Sequence, residues 1–332
     1  MSSLPLLPDP APRLVGIARL AALGETVRQG HEVEYFTLPV RSLLNRCTSR
    51  REMPFTWTIN PYRGCEFACK YCYARYTHEF MEMRDGAEFE QKIYIKQHAA
   101  ELLRQELHKV KAGEEIAIGT ATDPYQPIEK KLEVTRAILQ EFARRSGLDL
   151  GIVTKSALIV RDIDVLQTIA ERNSIAVNFT VTTTDADLAR LLEPRAPRPD
   201  LRLDALSKVR EAGIPAGVIC APVLPGITDS PGQLESVVRE AAAAGANHIY
   251  ANPLFLKPCS AAVFLPFLEE HFPKLVSEYE QRFKDRAFLP AAYRKRISEL
   301  VARFRAKYGF QNQGGWARKS PPQIQQEQLN LF

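Results

Sequence analysis

Between residues 57 and 256 the chain repeats one unit six times: a short apolar, β-branched run, then a polar-apolar stretch with helical spacing. No other feature limits the fold as strongly. The runs 57–61 (WTINP), 115–119 (EIAIG), 149–154 (DLGIVT), 174–182 (SIAVNFTVT), 215–223 (PAGVICAPV) and 248–255 (HIYANPLF) read as strands. Helical patterns follow at 90–111, 129–146, 161–172, 202–212, 230–244 and 263–284, several closed by a Gly or Asn stop signal such as Gly113, Asn173 or Gly245. Strict alternation predicts a parallel sheet with right-handed crossovers. Six strands are too few to close an eight-stranded barrel. The expected fold is α/β, a partial (β/α)6 TIM-like barrel, with an open doubly wound sheet as the alternative. The organisation that follows is an N-terminal extension (1–50), the α/β core (51–260), a basic helical segment (261–319) and a tail (320–332).

In either architecture chemistry collects at the C-terminal strand ends. Here those ends are polar: Gly64 to Cys72 after the first strand, Thr120 to Tyr125 after the second, Thr154-Lys155-Ser156 after the third and Thr182 to Asp185 after the fourth. Cys65, Cys69 and Cys72 therefore fall where an active site is expected. Six cysteines in 332 residues are too few for a disulfide scaffold, and three within eight residues point to metal or redox chemistry. Spaced C-x3-C-x2-C, the three thiolates can each take one iron of a cubane and leave a fourth iron open to an exogenous ligand. Competing readings are a zinc site completed by His78, or three incidental thiols. Cys220, in an apolar run, reads as a buried core thiol.

With Tyr71 ahead of the last cysteine, NPYRGCEFACKYCYAR resembles the signature of the radical S-adenosyl-L-methionine (SAM) enzymes. TATDPYQPIE, TKSALIVRDID, TTTD followed by LEPRAP, and APVLPGITD resemble the spore photoproduct lyase-like branch over roughly residues 40–260. The resemblance implies a [4Fe-4S] cluster on Cys65, Cys69 and Cys72, SAM on its open iron, and reductive cleavage to a 5′-deoxyadenosyl radical that abstracts hydrogen from a substrate. A reductant such as flavodoxin or ferredoxin is then needed. By the same resemblance Tyr71 packs near adenine, Thr122 and Asp123 meet the methionine end of SAM, Lys155 meets its carboxylate, and Thr180 and Thr182 contact SAM or its ribose. Each has a plainer alternative: core aromatic, Asx turn, surface lysine, strand filling. One departure concerns the reaction itself. Lyases of that branch carry a hydrogen-donating cysteine just beyond the second strand, where this chain has Thr120, and no cysteine lies between 73 and 219. Tyr125 is the candidate radical relay in its place, with packing in a turn as the alternative.

The formal charge of +5 is uneven, since residues 282–319 alone carry +9 and interleave their cations with Phe283, Phe288, Tyr293, Phe304, Tyr308, Phe310 and Trp316. Cations that track phosphates beside aromatics that stack on bases suggest a nucleic-acid surface; the alternative is a basic amphipathic helix packed on the barrel. The chain ends Gln328-Leu329-Asn330-Leu331-Phe332, which resembles the short peptide that binds the bacterial polymerase sliding clamp. A tail docked on its own barrel is the rival reading. The composition, 45% hydrophobic and 25% charged, is that of a globular chain, and apolar stretches such as 261–268 are too short to span a membrane. Without a signal-like N-terminus, a cytoplasmic location is expected. The expected function is a radical SAM enzyme, lyase-like, acting on nucleic acid in a DNA repair-like role. The rivals are the same chemistry on RNA, a peptide or a small molecule, and a non-catalytic iron–sulfur protein that binds nucleic acid.

Overall fold

The computed structural model describes residues 14–29, 32–48 and 54–310. In chain order its strands are β1 (Thr26–Gln29), β2 (Glu34–Leu38), β3 (Asn45–Arg46), β4 (Trp57–Ile59), β5 (Tyr62–Arg63), β6 (Lys92–Lys96), β7 (Glu115–Ile118), β8 (Asp149–Thr154), β9 (Ser174–Thr180), β10 (Ala216–Val223) and β11 (Ile249–Pro253). β4, β7, β8, β9, β10 and β11 lie side by side in sequence order and are parallel throughout, with β3 antiparallel on the outer edge of β4. Among the described strands β3 and β11 do not pair, so the sheet is a partial barrel and not a closed one.

Alternation in the strands sorts side chains between the two faces of this sheet. Ile59, Ile116, Ile118, Leu150, Ile152, Val177, Phe179 and Val218 face outward and join Ile138, Leu139, Phe142, Leu166, Ile169, Leu206, Val209 and Val237 of the surrounding helices in the main core. Those helices are amphipathic for this reason, and burying their apolar stripes against the sheet is what holds the barrel.

Three expectations change in the structure. The helix expected over 90–111 is interrupted: KIYIK at 92–96 alternates with period two and forms β6, and the helix proper is Ala99–Glu106. The N-terminal region is also more than an extension. Its β1 and β2 join β5 and β6 in a second, four-stranded sheet, in the order β1-β2-β6-β5. This sheet abuts the cysteine loop, because β5 leads straight into Gly64. The helix expected over 263–284 splits at Phe272-Pro273 into Pro258–His271 and Val276–Phe283.

Candidate active site

The loop from Gly64 to Cys72 is held at its backbone from several directions. Gly64 has φ +81°, and a Cβ there would meet the carbonyl oxygens of Lys92 at 2.7 Å and Phe89 at 2.8 Å, so glycine alone lets the chain turn this close to β6. Its own carbonyl accepts from the Thr122 hydroxyl at 2.5 Å. The Cys65 N–H donates to Phe89 O (2.9 Å) and the Lys70 N–H to Leu192 O (2.9 Å). Arg75 Nη2 donates to Cys69 O (3.0 Å), and Ser260 Oγ donates to Cys72 O (2.9 Å). The loop is thus shaped through its backbone contacts.

Burial pushes the Cys65 thiol well up, and Asp123, Cys69 and Cys72 nearby push it further. Burial likewise drives Cys69 to about 12, with Lys155 pulling against it and Glu193 and Cys72 adding to it. Thiols that disfavour one another's ionisation are a site that bound iron cations would relieve. Among the described residues no three His, Cys, Asp or Glu side chains gather around a single ion. Three thiols along one loop suit a cubane, whose irons take one thiolate each. The zinc reading lacks its fourth ligand, because His78 turns away, its Nε2 3.1 Å from Lys92 O and its ring edge-on to Phe89 and Tyr94. The residues thus fit an iron–sulfur cluster.

Around this loop the strand ends supply a buried polar network. The Tyr71 hydroxyl donates to Glu193 and lies 3.1 Å from Thr182 Oγ1, which is itself 3.1 Å from the same Glu193 oxygen. The other Glu193 oxygen pairs with Arg202 Nη2; both side chains are 1% exposed. Arg202 also donates to Thr180 O (2.9 Å) and Pro197 O (2.7 Å). Burial works against the Glu193 charge, yet Arg202 and Lys155 hold it below the ordinary carboxylate range. Lys155 Nζ lies 5.8 Å from the Tyr71 ring centroid. Burial opposes its charge too, but Cys69 and Glu193 hold it above the usual lysine value.

Of the sequence candidates, Tyr71, Lys155, Thr180 and Thr182 come together here. Asp123 is close by but fully engaged, receiving Thr154 Oγ1 (2.7 Å), Tyr125 N (2.9 Å) and Lys155 N (2.7 Å), so it pins the end of β7 to the end of β8. Thr122 braces Gly64. Tyr125 is elsewhere: 1% exposed within the main core, its hydroxyl beside Asp162 and Glu129. It occupies the packing position and is not carried forward as a relay.

Sequence reasoning gave no role to Glu193 or Arg202. Glu193 lies in LEPRAP, but nothing in the sequence ties it to Arg202, nine residues on in a helical pattern. That reasoning also passed over Tyr73, which is 43% exposed at the mouth and donates its hydroxyl to Thr120 O. The Thr120 hydroxyl accepts from Asn60 Nδ2 at 3.2 Å. Tyr73 faces Phe255 at 6.4 Å, and Phe255 stacks on Phe288 at 4.2 Å between centroids. Lys257 Nζ lies 3.7 Å from the Tyr76 ring and 6.0 Å from Phe255.

Residues 59–239 match the Radical SAM superfamily. The chain belongs to this superfamily. Its cofactors are accordingly a [4Fe-4S] cluster and SAM, and it is a radical SAM enzyme. Among curated proteins it is 34% identical to the uncharacterized protein Rv2578c of Mycobacterium tuberculosis over 94% of this chain and 91% of that one. It is 31% identical to the uncharacterized protein MJ0683 of Methanocaldococcus jannaschii over 66% of this chain and 77% of that one. Among solved structures it resembles spore photoproduct lyase complexed with dinucleoside spore photoproduct (TM-score 0.59, 14% identity, 82% of this chain and 79% of that one). It is equally similar to a mutant of that lyase with bound AdoMet and dinucleoside spore photoproduct (TM-score 0.59, 14% identity, the same coverage). At that identity the likeness shows the fold, the partial barrel expected from the sequence.

Part of the basic segment packs on the barrel. Ala291–Lys307 is one helix whose Ile297, Val301 and Phe304 are buried in the main core. Arg296 pairs with Asp229 (2.7 Å), Lys307 with Glu235 (2.5 Å) and Lys295 with Glu299 (3.7 Å), while Arg305 lies over Tyr250. This is the amphipathic alternative. Residues 311–319 of that segment, Trp316 included, and the peptide Gln328–Phe332 lie outside the described residues. Among the described residues no helix is long and apolar enough to cross a membrane.

Proposed function

We propose that Cys65, Cys69 and Cys72 hold the cluster, that SAM binds between them and the ends of β8 and β9, and that the substrate is a nucleic acid entering over Tyr73. With the cofactors bound, the chemistry supplied is one-electron cleavage of SAM and hydrogen abstraction by a 5′-deoxyadenosyl radical. The chain's own part is to orient and to exclude water. Lys155 offers an ammonium that forms no ion pair within the described residues, suited to a carboxylate. Thr180, Thr182 and Tyr71 line the same recess, while Asp123 and Thr122 hold its walls in place.

The observation that carries the substrate reading is the mouth. Tyr73, Phe255 and Phe288 form a run of aromatic faces flanked by Lys257, with exposed Lys284 and Arg286 next to Phe288. Aromatic faces that accept a base beside cations that meet phosphate are the elements of single-strand binding, and a base stacked there would lie next to the cysteine loop. Thr120 in place of a thiol argues against efficient conversion of the spore photoproduct itself. A replication-linked role through Gln328–Phe332 and a flavodoxin- or ferredoxin-like reductant complete the proposal.

The test is anaerobic reconstitution with SAM and dithionite, followed by mass spectrometry of damaged and undamaged oligonucleotides. A mass change in an oligonucleotide, lost in a Phe255→Ala, Phe288→Ala variant that still cleaves SAM, supports the reading. Unmodified oligonucleotides together with 5′-deoxyadenosine output that they do not stimulate would turn it toward a peptide or small-molecule substrate.

A further inference from the structure

The buried Glu193–Arg202 pair lies between the cysteine loop and the helix Pro199–Glu211, and it leaves an excess of one positive charge beside it. The carboxylate is saturated by Tyr71, Thr182 and Arg202, and the guanidinium by Glu193 and two carbonyls. Were Arg202 missing, the buried Glu193 charge would draw in the nearest cation, Lys155, across the face of Tyr71. With Arg202 present, Lys155 stays uncommitted. We propose that Glu193 and Arg202 are positioning residues for SAM: they fix the aromatic ring of the cysteine loop at the end of β9 and keep the Lys155 ammonium available to the SAM carboxylate.

The proposal rests on the superfamily's cofactors and not on the nature of the substrate, so it is tested without one. The measurement is SAM affinity of the reconstituted holoprotein, read from the change in the electron paramagnetic resonance spectrum of the reduced cluster as SAM is titrated, alongside the melting temperature. Glu193→Gln should raise the SAM dissociation constant about tenfold or more, with the cluster's visible absorbance retained, because Tyr71 and Arg202 lose the charged partner that fixes them at the end of β9, and a charge-assisted hydrogen bond is worth about that much. Unchanged affinity in Glu193→Gln would overturn the proposal. A Glu193→Leu, Arg202→Met double variant guards against misfolding of the single change, since replacing a buried pair by apolar side chains tends to preserve stability. The expected result is a melting temperature near the parent's with SAM affinity still weak. Recovery of both would show that the pair serves the fold alone and would overturn the proposal as surely.

Discussion

Two regions of this molecule contain the same three side chains in the same arrangement. At the cluster mouth Tyr71 donates to Glu193, which pairs with Arg202; on the other side of the β7 loop Tyr62 donates to Glu129, which pairs with Arg161 at 2.9 Å. Both carboxylates are buried, and their acidities move in opposite directions. Burial raises Glu129 and its partners, the Thr135 N–H, Tyr62 and Arg161, do not overcome it. Burial works on Glu193 too, but Arg202 and Lys155 outweigh it. In the Glu129 group both arginines are paired, because Arg161 also serves Asp162 at 2.7 Å, and Arg136 bridges Asp162 at 2.8 Å and Asp164 at 2.6 Å. The Glu193 group has a lysine to spare. A buried ion pair by itself therefore says little about function, and the charge left unpaired beside it says more.

The contrast is sharpest at the thiols, which have no counterpart near Glu129. Replacing Cys65, Cys69 or Cys72 by Ala is expected to abolish the visible absorbance of the reconstituted protein and its SAM cleavage; a full cluster surviving in the triple variant would undo the assignment. Next in size is Glu129→Ala. It leaves the Tyr62 hydroxyl and the Thr135 N–H without their acceptor, while Arg161 keeps Asp162, and should cost about 1–3 kcal/mol for each stranded donor in denaturant unfolding, while SAM affinity per folded molecule stays at the parent value. A weakened SAM site in that variant would erase the distinction between the two groups.

A smaller effect is expected at the spare cation. Lys155→Ala should raise the SAM dissociation constant ten- to a hundredfold, from about 1.5–3 kcal/mol for a charge-assisted hydrogen bond, with little change in melting temperature. Equal affinity would return Lys155 to the role of a surface lysine.

The smallest effect belongs to the Glu129 group. Its hydrogen bond to Arg136 lowers Asp164 from 3.8 to about 2. A carboxylate depressed in the folded state contributes stability that is complete above the unfolded value and is lost as pH falls through the folded one. Asp164→Asn should accordingly flatten the stability profile between about pH 4 and pH 2 and lower stability by a small, constant amount above it. Because Asp164 is largely exposed, salt should shrink that difference. Stability equal to the parent's at neutral pH would mean that the bond to Arg136 contributes nothing to the fold.

Much of the fold was legible because each parallel strand is a β-branched run bounded by polar turns, and a strand covered on one side by helices needs apolar side chains there. β6 escaped notice since five alternating residues next to a helix blend into its pattern, and β1 and β2 because Thr26–Gln29 has a single apolar residue and Glu34–Leu38 is one short run outside the repeated unit. At the site the cysteines and Tyr71 announced themselves by spacing. Glu193 and Arg202 did not, because a charge reads as solvent-exposed until its partner is known, and partners are a property of the folded chain. The basic helix misled for the opposite reason: Arg296 and Lys307 looked free in sequence, yet Asp229 and Glu235 were waiting for them on the helix Pro231–Ala243 and the loop before it.

The bonds that shape the cysteine loop have a consequence for biosynthesis. The loop emerges from the ribosome at residues 64–72, but the carbonyl of Leu192 and the hydroxyl of Ser260 that fasten it are made 120 to 190 residues later, by about the spacing of Lys70 from Leu192 and of Cys72 from Ser260. Until then the three thiols sit on an unfastened segment, exposed to oxidants and stray metal ions. The frame around the loop is complete only with β11 and the helix that follows it, and a chain truncated before Ser260 would keep its cysteines and lack that frame.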